Sequence, residues 1–274
     1  MHNVDANGAS IPALGFGTWD LPHDRVQQLV EHALGVGYRH LDTAQMYGNE
    51  AAVGAGLRAS GLARDAVFLA TKIWPDDFAR ADFRKAADER LRLLGVDRLD
   101  LLLLHWPSKT VPLAETMEAL NAVREAGQTR HIGISNFTTK LIDEAVRRSA
   151  APLVTDQVEY HPYLDQTKVL AKLQEHGMAL TAYCPIARGR VAGDPTLARI
   201  GAAHGKSATQ VALRWLVQQA GVIAIPGSSN EARIEANLQV FDFALSAADM
   251  ARIFEMGAPT GRLVDIAVGP DWDD

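Results

Sequence analysis

Short apolar runs and longer amphipathic segments alternate along the whole chain. The apolar runs are five to seven residues long and rich in Val, Ile, Leu or Ala, a pattern typical of strands that are buried on both faces. These runs lie at residues 14–18, 38–42, 67–72, 99–105, 130–135, 153–157, 179–183 and 222–226. The pattern therefore predicts eight strands.

The segments between these runs have the spacing of helices. In residues 24–36, 49–61, 79–95 and 207–221, apolar residues recur at i, i+3, i+4 and i+7, and glycine stands near several of the carboxyl ends. A strand followed by a helix, repeated eight times in 274 residues, has the size and the repeat of a (β/α)8 TIM barrel. This α/β barrel is the predicted fold class.

A doubly wound open sheet is the alternative architecture. No predicted strand is followed by the G-x-G-x-x-G turn with which such sheets often bind a dinucleotide, although an open sheet does not require that turn. No linker rich in Ser, Gly or Pro and no low-complexity tract divides the chain. We therefore predict one barrel domain over residues 1–274.

Composition and charge argue against several classes of partner. The net charge is −6 and the basic residues are scattered among acidic ones, so we expect no nucleic-acid partner and no membrane partner. The amino terminus lacks the features of a signal peptide, and no apolar run approaches the roughly 18 residues of a membrane span. With a single cysteine, Cys184, no intramolecular disulfide can form. We expect a cytoplasmic monomer.

Four ionisable side chains fall where predicted strands end. Asp42 ends the second strand, Tyr47 lies in the loop after it, Lys72 ends the third strand and His105 ends the fourth. One such residue alone is usually a solvated loop residue or a buried group that hydrogen bonds satisfy. In a (β/α)8 barrel, however, the carboxyl ends of the strands carry the active site, and these four residues have complementary chemistry. We predict that they converge on one site.

Together these side chains can protonate an oxygen. The ordinary pKa of tyrosine is about 10, and a neighbouring Lys72 ammonium would stabilise the Tyr47 phenolate while Asp42 keeps that ammonium charged and oriented. Tyr47 would then be a general acid near neutral pH, and His105 would donate a hydrogen bond to a substrate carbonyl oxygen. The set contains no nucleophile with an adjacent base, and no H-x-x-x-H or Cys/His cluster indicates a metal site. Carbonyl reduction also requires hydride, for which a nicotinamide cofactor is the usual donor.

Several motifs carry a resemblance to a known family. They are "GFGTW", "LDTAQMYGNEAAVG", "TKIW", "LLLLHWP", "GISNF", "DQVEYHP", "YCPIARG" and "IPGSSNEARIEAN", which run from residue 15 almost to the carboxyl terminus. In this order and spacing, the chain resembles the aldo-keto reductases. Within that family it is most similar to the bacterial 2,5-diketogluconate reductases of the B type, also described as methylglyoxal reductases, whose carboxyl end resembles residues 261–273.

The resemblance implies NADPH as the cofactor and the same four residues as a catalytic tetrad with Tyr47 as the proton donor. It also implies that Ser135, Asn136 and Gln157 hydrogen-bond the nicotinamide carboxamide and that Tyr183 stacks on the ring. The cofactor-binding residues it implies are Thr18, Trp19, Asp42, Ser135, Asn136, Gln157, Tyr183, Cys184, Pro185, Ile186, Arg188, Gly227, Ser228, Ser229, Arg233 and Asn237.

The cofactor segments depart from the family pattern at four positions. Cys184 stands where Ser is commoner, and Asp156 stands where Asn is usual. Gly227 stands where many members carry a Lys that pairs with the 2′-phosphate, and Ala236 where many have a Glu near the adenine. Arg233 remains, and its guanidinium can bind a phosphate with two hydrogen bonds, so we still expect NADPH. Arg188 either reaches the pyrophosphate or is a solvated loop residue.

The substrate pocket is expected beside the tetrad. Trp19, Trp74 and Trp106 follow predicted strands, where aromatic side chains serve as a pocket wall or as core packing. Arg262 in the carboxyl-terminal segment would pair with a substrate carboxylate or, alternatively, form a surface salt bridge. The expected substrate-binding residues are Trp19, Tyr47, Trp74, His105, Trp106 and Arg262.

The leading hypothesis is an NADPH-dependent carbonyl reductase acting on small dicarbonyls. A cofactor-binding regulatory module with slow turnover is the alternative, because the resembling family includes such subunits. The complete tetrad favours the enzyme. A barrel hydrolase is a third hypothesis, but the chain offers neither a nucleophile with an adjacent base nor a set of metal ligands.

Overall fold

The computed structural model describes residues 1–272 and contains ten strands and ten α-helices. The strands are β1 Asn3–Ala6, β2 Ala9–Pro12, β3 Phe16–Gly17, β4 His40–Asp42, β5 Phe68–Ile73, β6 Leu99–Leu104, β7 Thr129–Ser135, β8 Leu153–Glu159, β9 Ala179–Tyr183 and β10 Val222–Ala224. The α-helices are α1 Val26–Val36, α2 Glu50–Ala59, α3 Arg80–Leu94, α4 Leu113–Glu125, α5 Thr139–Arg148, α6 Thr167–Glu175, α7 Pro195–Ala202, α8 Ala208–Val217, α9 Glu231–Leu238 and α10 Ala247–Phe254. Short 3₁₀ helices lie at Gln45–Tyr47, Arg64–Ala66, Pro75–Asp77, Ala187–Gly193 and Pro259–Gly261.

Strands β3 to β10 form one parallel sheet in chain order. The sheet closes on itself because Leu14, just before β3, bridges to Ala224 in β10, and the Gly15 N–H donates to the Ala224 carbonyl at 2.8 Å. A closed ring of eight parallel strands with helices between them is a (β/α)8 barrel. The predicted fold class is therefore confirmed, and the open sheet is excluded.

The eight predicted runs coincide with β3 to β10, with ends that differ by two residues or fewer. In β6 every residue is buried, because the barrel interior covers one face and helices cover the other. The one charged residue of β6, Asp100, accepts hydrogen bonds from Arg64 Nη2 at 2.7 Å and from the Leu69 N–H at 2.9 Å. Its carboxylate is therefore satisfied although it is buried.

The amino-terminal hairpin was not predicted. Strands β1 and β2 pair in antiparallel fashion around Asn7 and Gly8, which both have positive φ, 45° and 86°. Two left-handed residues are what a tight two-residue hairpin turn requires, and Asn-Gly is its strongest sequence signal. Asn7 Nδ2 donates to the carbonyls of Leu153 at 2.7 Å and His176 at 2.9 Å, near the amino ends of β8 and β9. The hairpin therefore lies at the end of the barrel opposite the carboxyl ends of the strands.

Several helices begin or end at residues suited to those positions. Asp194 Oδ1 accepts from the N–H groups of Thr196 and Leu197 at the start of α7, and Ser207 forms a capping box with Gln210 at the start of α8. Gly95, with φ 67°, ends α3 in the left-handed conformation. No helix within residues 1–272 is long and apolar enough to cross a membrane.

Candidate active site

Lys72, near the carboxyl end of β5, lies at the centre of the candidate site. Its side chain is fully buried, and Nζ donates to Asp42 Oδ1 at 2.6 Å, to the Thr43 carbonyl at 2.9 Å and to the Tyr47 hydroxyl at 3.3 Å. These three acceptors match the three N–H groups of an ammonium. The structure thus joins Asp42, Lys72 and Tyr47 into one hydrogen-bonded unit.

The loop after β4 determines where Tyr47 lies. Thr18 Oγ1 donates to the Asp42 carbonyl at 3.0 Å, and Asn49 Nδ2 donates to the Thr18 carbonyl at 2.9 Å, so this loop is bound to the one after β3. Tyr47 ends a single 3₁₀ turn, and Gly48 follows it with φ 64°, a left-handed conformation that glycine adopts without strain. The turn places the phenol beside Lys72.

Asp42 connects this unit to β8. Its Oδ1 accepts from Lys72, while its Oδ2 accepts from Gln157 Nε2 at 2.8 Å. Both carboxylate oxygens are therefore bonded although Asp42 is only 2% exposed. One carboxylate oxygen orients Lys72. The other orients the side-chain amide of Gln157, which the family resemblance assigns to the cofactor site.

Burial and charge together set the protonation of this unit. Burial acts to lower the pKa of Lys72, but the Asp42 carboxylate and Tyr47 outweigh it, so the pKa lies above its ordinary value. Burial raises the pKa of the Tyr47 phenol, and the Lys72 ammonium opposes that rise without cancelling it. The sequence hypothesis included only the effect of Lys72 and therefore missed the net upward direction. Tyr47 consequently holds its proton at neutral pH.

His105 follows β6 and faces the phenol. Its ring centroid lies 5.8 Å from that of Tyr47 and 5.1 Å from that of Trp74, both edge to face. Burial, helped by the Lys72 ammonium, lowers the pKa of His105 well below its ordinary value, so the ring is neutral at neutral pH. Its Nδ1 is buried without a hydrogen-bond partner among residues 1–272.

Polar side chains at the ends of β7 and β8 form a second network. Asn136, with φ 65°, donates from Nδ2 to the His105 carbonyl and to Ser135 Oγ, both at 3.0 Å. Ser135 Oγ donates to the Gln157 carbonyl at 2.7 Å, and the Tyr183 hydroxyl donates to Asn136 Oδ1 at 2.8 Å. The four residues predicted to hold the nicotinamide thus lie together beside the tetrad. Their role toward a cofactor stays a prediction.

The segment after β9 crosses toward the loop after β3. Cys184 and Arg188 have positive φ, 47° and 53°, and the Arg188 guanidinium lies 5.8 Å from the centroid of the exposed Trp19 ring. Between them Pro185 is buried and Ile186 is half-buried. Burial raises the pKa of the Cys184 thiol to about 11, so that side chain is an uncharged, weakly polar group.

The start of α9 carries the residues predicted to bind the adenosine phosphate. Asn230 caps the helix by accepting from the Arg233 N–H at 3.1 Å, and the Asn230 N–H donates to Ser228 Oγ at 3.1 Å. Ser229 and Arg233 are exposed, whereas Asn237, one turn further on, is buried. An exposed arginine in the first turn of a helix can bind an anion.

Gly227 is explained by close backbone packing. A Cβ at this position would lie 2.7 Å from the Gly17 carbonyl oxygen, and the Gly17 N–H donates to the Pro226 carbonyl at 3.1 Å. The end of β10 and the end of β3 therefore approach too closely for a larger residue. The sequence showed only that the family lysine is missing, while the structure shows that restoring it would require the backbone to shift.

Aromatic side chains surround the mouth of the barrel. Trp19 is 46% exposed, Trp74 is half-buried and Trp106 is only 3% exposed, so only the first two present much surface. The backbone N–H of Trp74 donates to Gln45 Oε1 at 2.9 Å, a supporting contact that the sequence did not indicate.

The carboxyl-terminal segment adds one more ring to this aromatic set. The Trp272 centroid lies 6.0 Å from that of Trp106, edge to face. Arg262 is half-buried, and its guanidinium lies 3.6 Å from the centroid of the Trp272 ring. No pattern in the sequence pointed to Trp272, because it stands in a segment without strand or helix periodicity.

Comparison with known proteins agrees with this geometry. The sequence model of the aldo/keto reductase family matches residues 13–258. The methylglyoxal reductase DkgB of Escherichia coli O157:H7 is 38% identical over 267 residues, which cover 96% of this chain and 100% of that protein. The crystal structure of a candidate 2,5-diketo-D-gluconic acid reductase B has a TM-score of 0.99 at 53% identity, covering 100% of this chain and 98% of the other. The aldose reductase of Schistosoma japonicum has a TM-score of 0.90 at 32% identity, covering 95% and 94% of the two chains.

Proposed function

Since the chain belongs to the aldo/keto reductase family, we propose that it reduces the carbonyl group of small dicarbonyl compounds, with NADPH as the hydride donor and Tyr47 as the proton donor. The buried contact of Lys72 with both Asp42 and Tyr47 carries this proposal. A fully buried lysine lowers the stability of the fold unless its charge is paired. Here Asp42 pairs with the Lys72 ammonium, which contacts the Tyr47 phenol. The arrangement favours proton donation over any other chemistry.

The proton moves from Tyr47 to the substrate oxygen. As negative charge develops on that oxygen, the phenol donates its proton and the Lys72 ammonium stabilises the phenolate that remains. Asp42 keeps the ammonium in place through the 2.6 Å contact. Neutral His105 donates a hydrogen bond from Nε2 to the same oxygen and polarises the carbonyl. Tyr47 and His105 thus act on the substrate oxygen directly, and Lys72 and Asp42 act through Tyr47.

The residues around the tetrad fit a nicotinamide cofactor. NADPH, when bound, supplies the hydride. The hydroxyl of Ser135 and the amides of Asn136 and Gln157 combine donors and acceptors that match a carboxamide. Gln157 is hydrogen-bonded to Asp42 and Asn136 to the His105 carbonyl, and Ser135 is hydrogen-bonded to both amide residues. At the other end, the exposed Arg233 in the first turn of α9 fits a phosphate.

Small dicarbonyls are favoured as substrates by the relatives and by the pocket. The Escherichia coli relative is named a methylglyoxal reductase, and the structure at 53% identity is described as a diketogluconate reductase candidate. In this chain, the His105 ring lies edge to face with the rings of Tyr47 and Trp74, and Trp106, the next residue, packs against Trp272. Arg262, held on Trp272, is the cation we propose to face the carboxylate of an acidic substrate.

The function is tested by following loss of NADPH absorbance with a panel of carbonyl compounds. We expect turnover of methylglyoxal and 2,5-diketogluconate with a kcat/KM above that of benzaldehyde. Faster turnover of benzaldehyde would contradict the substrate class. If no carbonyl compound is reduced while NADPH still binds, the chain is instead a cofactor-binding regulatory module.

Arg233→Ala should weaken NADPH binding and leave NADH binding nearly unchanged. Loss of a charge-assisted contact to the 2′-phosphate is expected to raise the Kd for NADPH about tenfold or more. The measurement is a fluorescence titration with each cofactor. Arg252→Ala is the matched control, because Arg252 is an exposed arginine in the last turn of α10 and should change neither Kd.

Two results would contradict this assignment of Arg233. One is equal affinity of the unmodified protein for NADPH and NADH. The other is an equal loss of both affinities in Arg233→Ala, which would place the side chain at the adenine or in the fold. Gly227→Lys is a poor test of the same phosphate site, because its Cβ would meet the Gly17 carbonyl.

A further inference from the structure

Glu159 is a fully buried carboxylate at the end of β8 that the proposed mechanism does not use. It stands two residues after Gln157, and alternate residues of a strand point to the same face. Gln157 points into the barrel toward Asp42. Glu159 therefore lies on that face too, one residue pair nearer to the mouth of the barrel.

The carboxylate of Glu159 binds the backbone of the carboxyl-terminal segment. Oε1 accepts from the Leu263 N–H at 2.7 Å, and Oε2 accepts from the Val264 N–H at 2.8 Å. His161 Nε2 lies 2.9 Å from Oε1, and His161 Nδ1 accepts from the Tyr163 N–H at 3.3 Å, which assigns the ring hydrogen to Nε2. Three donors thus converge on one buried carboxylate.

The same stretch of chain holds the segment just before Leu263. The Ala258 N–H donates to the Tyr163 carbonyl at 3.2 Å, and the Asp165 N–H donates to the Ala258 carbonyl at 3.4 Å. A Cβ at Gly261 would lie 1.7 Å from the Tyr163 carbonyl oxygen, so glycine is required for this approach. The chain therefore reaches Glu159 along a single defined path.

Beyond Val264 the segment continues along the rim of the barrel. Lys109, in the loop after β6, donates to the Ala267 carbonyl at 2.7 Å, and Trp272 packs against Trp106 in the same loop. The segment thus runs from the end of β8, past β7, to the loop after β6. His105 and Trp106 lie at that second end, so the segment passes beside the candidate site.

We propose that Glu159 is a positioning residue for substrate selectivity, whose buried carboxylate holds the Leu263 and Val264 backbone so that the segment from Gly261 to Trp272 forms one wall of the pocket. This proposal rests on the proposed carbonyl reductase function. Because Glu159 binds main-chain N–H groups, the side chains of the segment are left to contact substrate. The backbone of Leu263 and Val264 thus fixes the wall in place, and the side chains of the segment determine which substrate fits.

Glu159→Gln removes the anchor with little change of volume. The amide nitrogen of glutamine donates instead of accepting, so one of the two backbone N–H groups loses its partner. Hydrogen exchange should therefore speed up about tenfold or more at Leu263 and Val264, as expected for a lost bond to a charged acceptor. The tetrad makes no contact with Glu159 in the structure, so kcat for methylglyoxal should stay within about twofold.

The selectivity measurement compares 2,5-diketogluconate with methylglyoxal. We expect the KM of the larger substrate to rise about fivefold or more in Glu159→Gln, with kcat retained. The reason is that a displaced wall removes contacts that the bound substrate and the transition state make equally. Trp272→Ala should raise the same KM while Leu263 and Val264 stay protected. The KM for 2,5-diketogluconate in the double variant, Glu159→Gln with Trp272→Ala, should be no higher than in Glu159→Gln alone, because both changes disrupt the same wall.

Either of two outcomes would overturn the proposal. Unchanged protection at Leu263 and Val264 would show that Glu159 is not the anchor, and lost protection with an unchanged ratio of KM values would show that the segment is not a selectivity wall. Should Glu159→Gln fail to fold, Glu159→Asp keeps the charge but is too short to reach both N–H groups. If the unmodified protein reduces no carbonyl, the proposed function fails, while exchange still decides whether Glu159 anchors the segment.

Discussion

Tyr47→Phe should lower kcat for carbonyl reduction by about two to four orders of magnitude while the Kd for NADPH changes little. The variant removes only the hydroxyl that lies 3.3 Å from Lys72 Nζ and keeps the ring that packs edge to face against His105. Loss of a proton donor affects the transition state more than the bound substrate, so KM should change less than kcat. Steady-state kinetics and a cofactor titration measure the two effects separately.

Tyr38→Phe is the matched control for this prediction. The Tyr38 hydroxyl is also buried and donates to the Ile234 carbonyl of α9 at 3.1 Å, away from the tetrad. Its removal should cost about 1 kcal/mol or more of unfolding free energy and leave kcat nearly unchanged. If Tyr47→Phe retained most of its kcat, or if both variants lost it equally, Tyr47 would not be the proton donor.

The barrel could be predicted from the sequence because its strands are buried on both faces. Runs such as residues 99–105 then read as continuously apolar, and the spacing between runs leaves room for a helix. The tetrad could be located for a related reason, since Asp42, Lys72 and His105 stand where such runs end. In a (β/α)8 barrel those ends all meet at one face, so sequence position alone brings them near each other.

Other features depend on contacts that leave little trace in the sequence. The anchoring of the carboxyl-terminal segment uses backbone N–H groups, which every residue except proline has, so nothing marks Leu263 and Val264 in advance. The net direction of the Tyr47 pKa depends on the depth of burial, which only packing determines. The need for glycine at position 227 likewise comes from a carbonyl more than 200 residues away, that of Gly17. The amino-terminal hairpin, in contrast, does leave a mark in the sequence, because Asn7-Gly8 is a recognised turn signal. Apolar periodicity alone does not detect it.

The charge of Lys72 connects the fold of the site to its pH dependence. Burial raises the Tyr47 pKa and the ammonium opposes the rise, so removal of the ammonium must raise that pKa further. In the proposed reaction, run in the direction of alcohol oxidation, the Tyr47 phenolate is the active form, and its fraction at a given pH falls as the pKa rises. The rate of oxidation should then increase only at higher pH, while reduction slows because the phenolate product is less stable.

Lys72→Met should therefore lower kcat for reduction by about two orders of magnitude or more. The rise of the alcohol oxidation rate with pH should also move to higher pH. It also leaves Asp42 buried without its cation, which is expected to cost about 3–5 kcal/mol of unfolding free energy. A thermal melt and an NADPH titration separate lost catalysis from lost folding. Lys206→Met is the control, because Lys206 pairs with Asp242 outside the site and should affect stability alone. If the rise of the oxidation rate stays at the same pH or moves to lower pH in folded Lys72→Met, the lysine orients Tyr47 but does not lower its pKa.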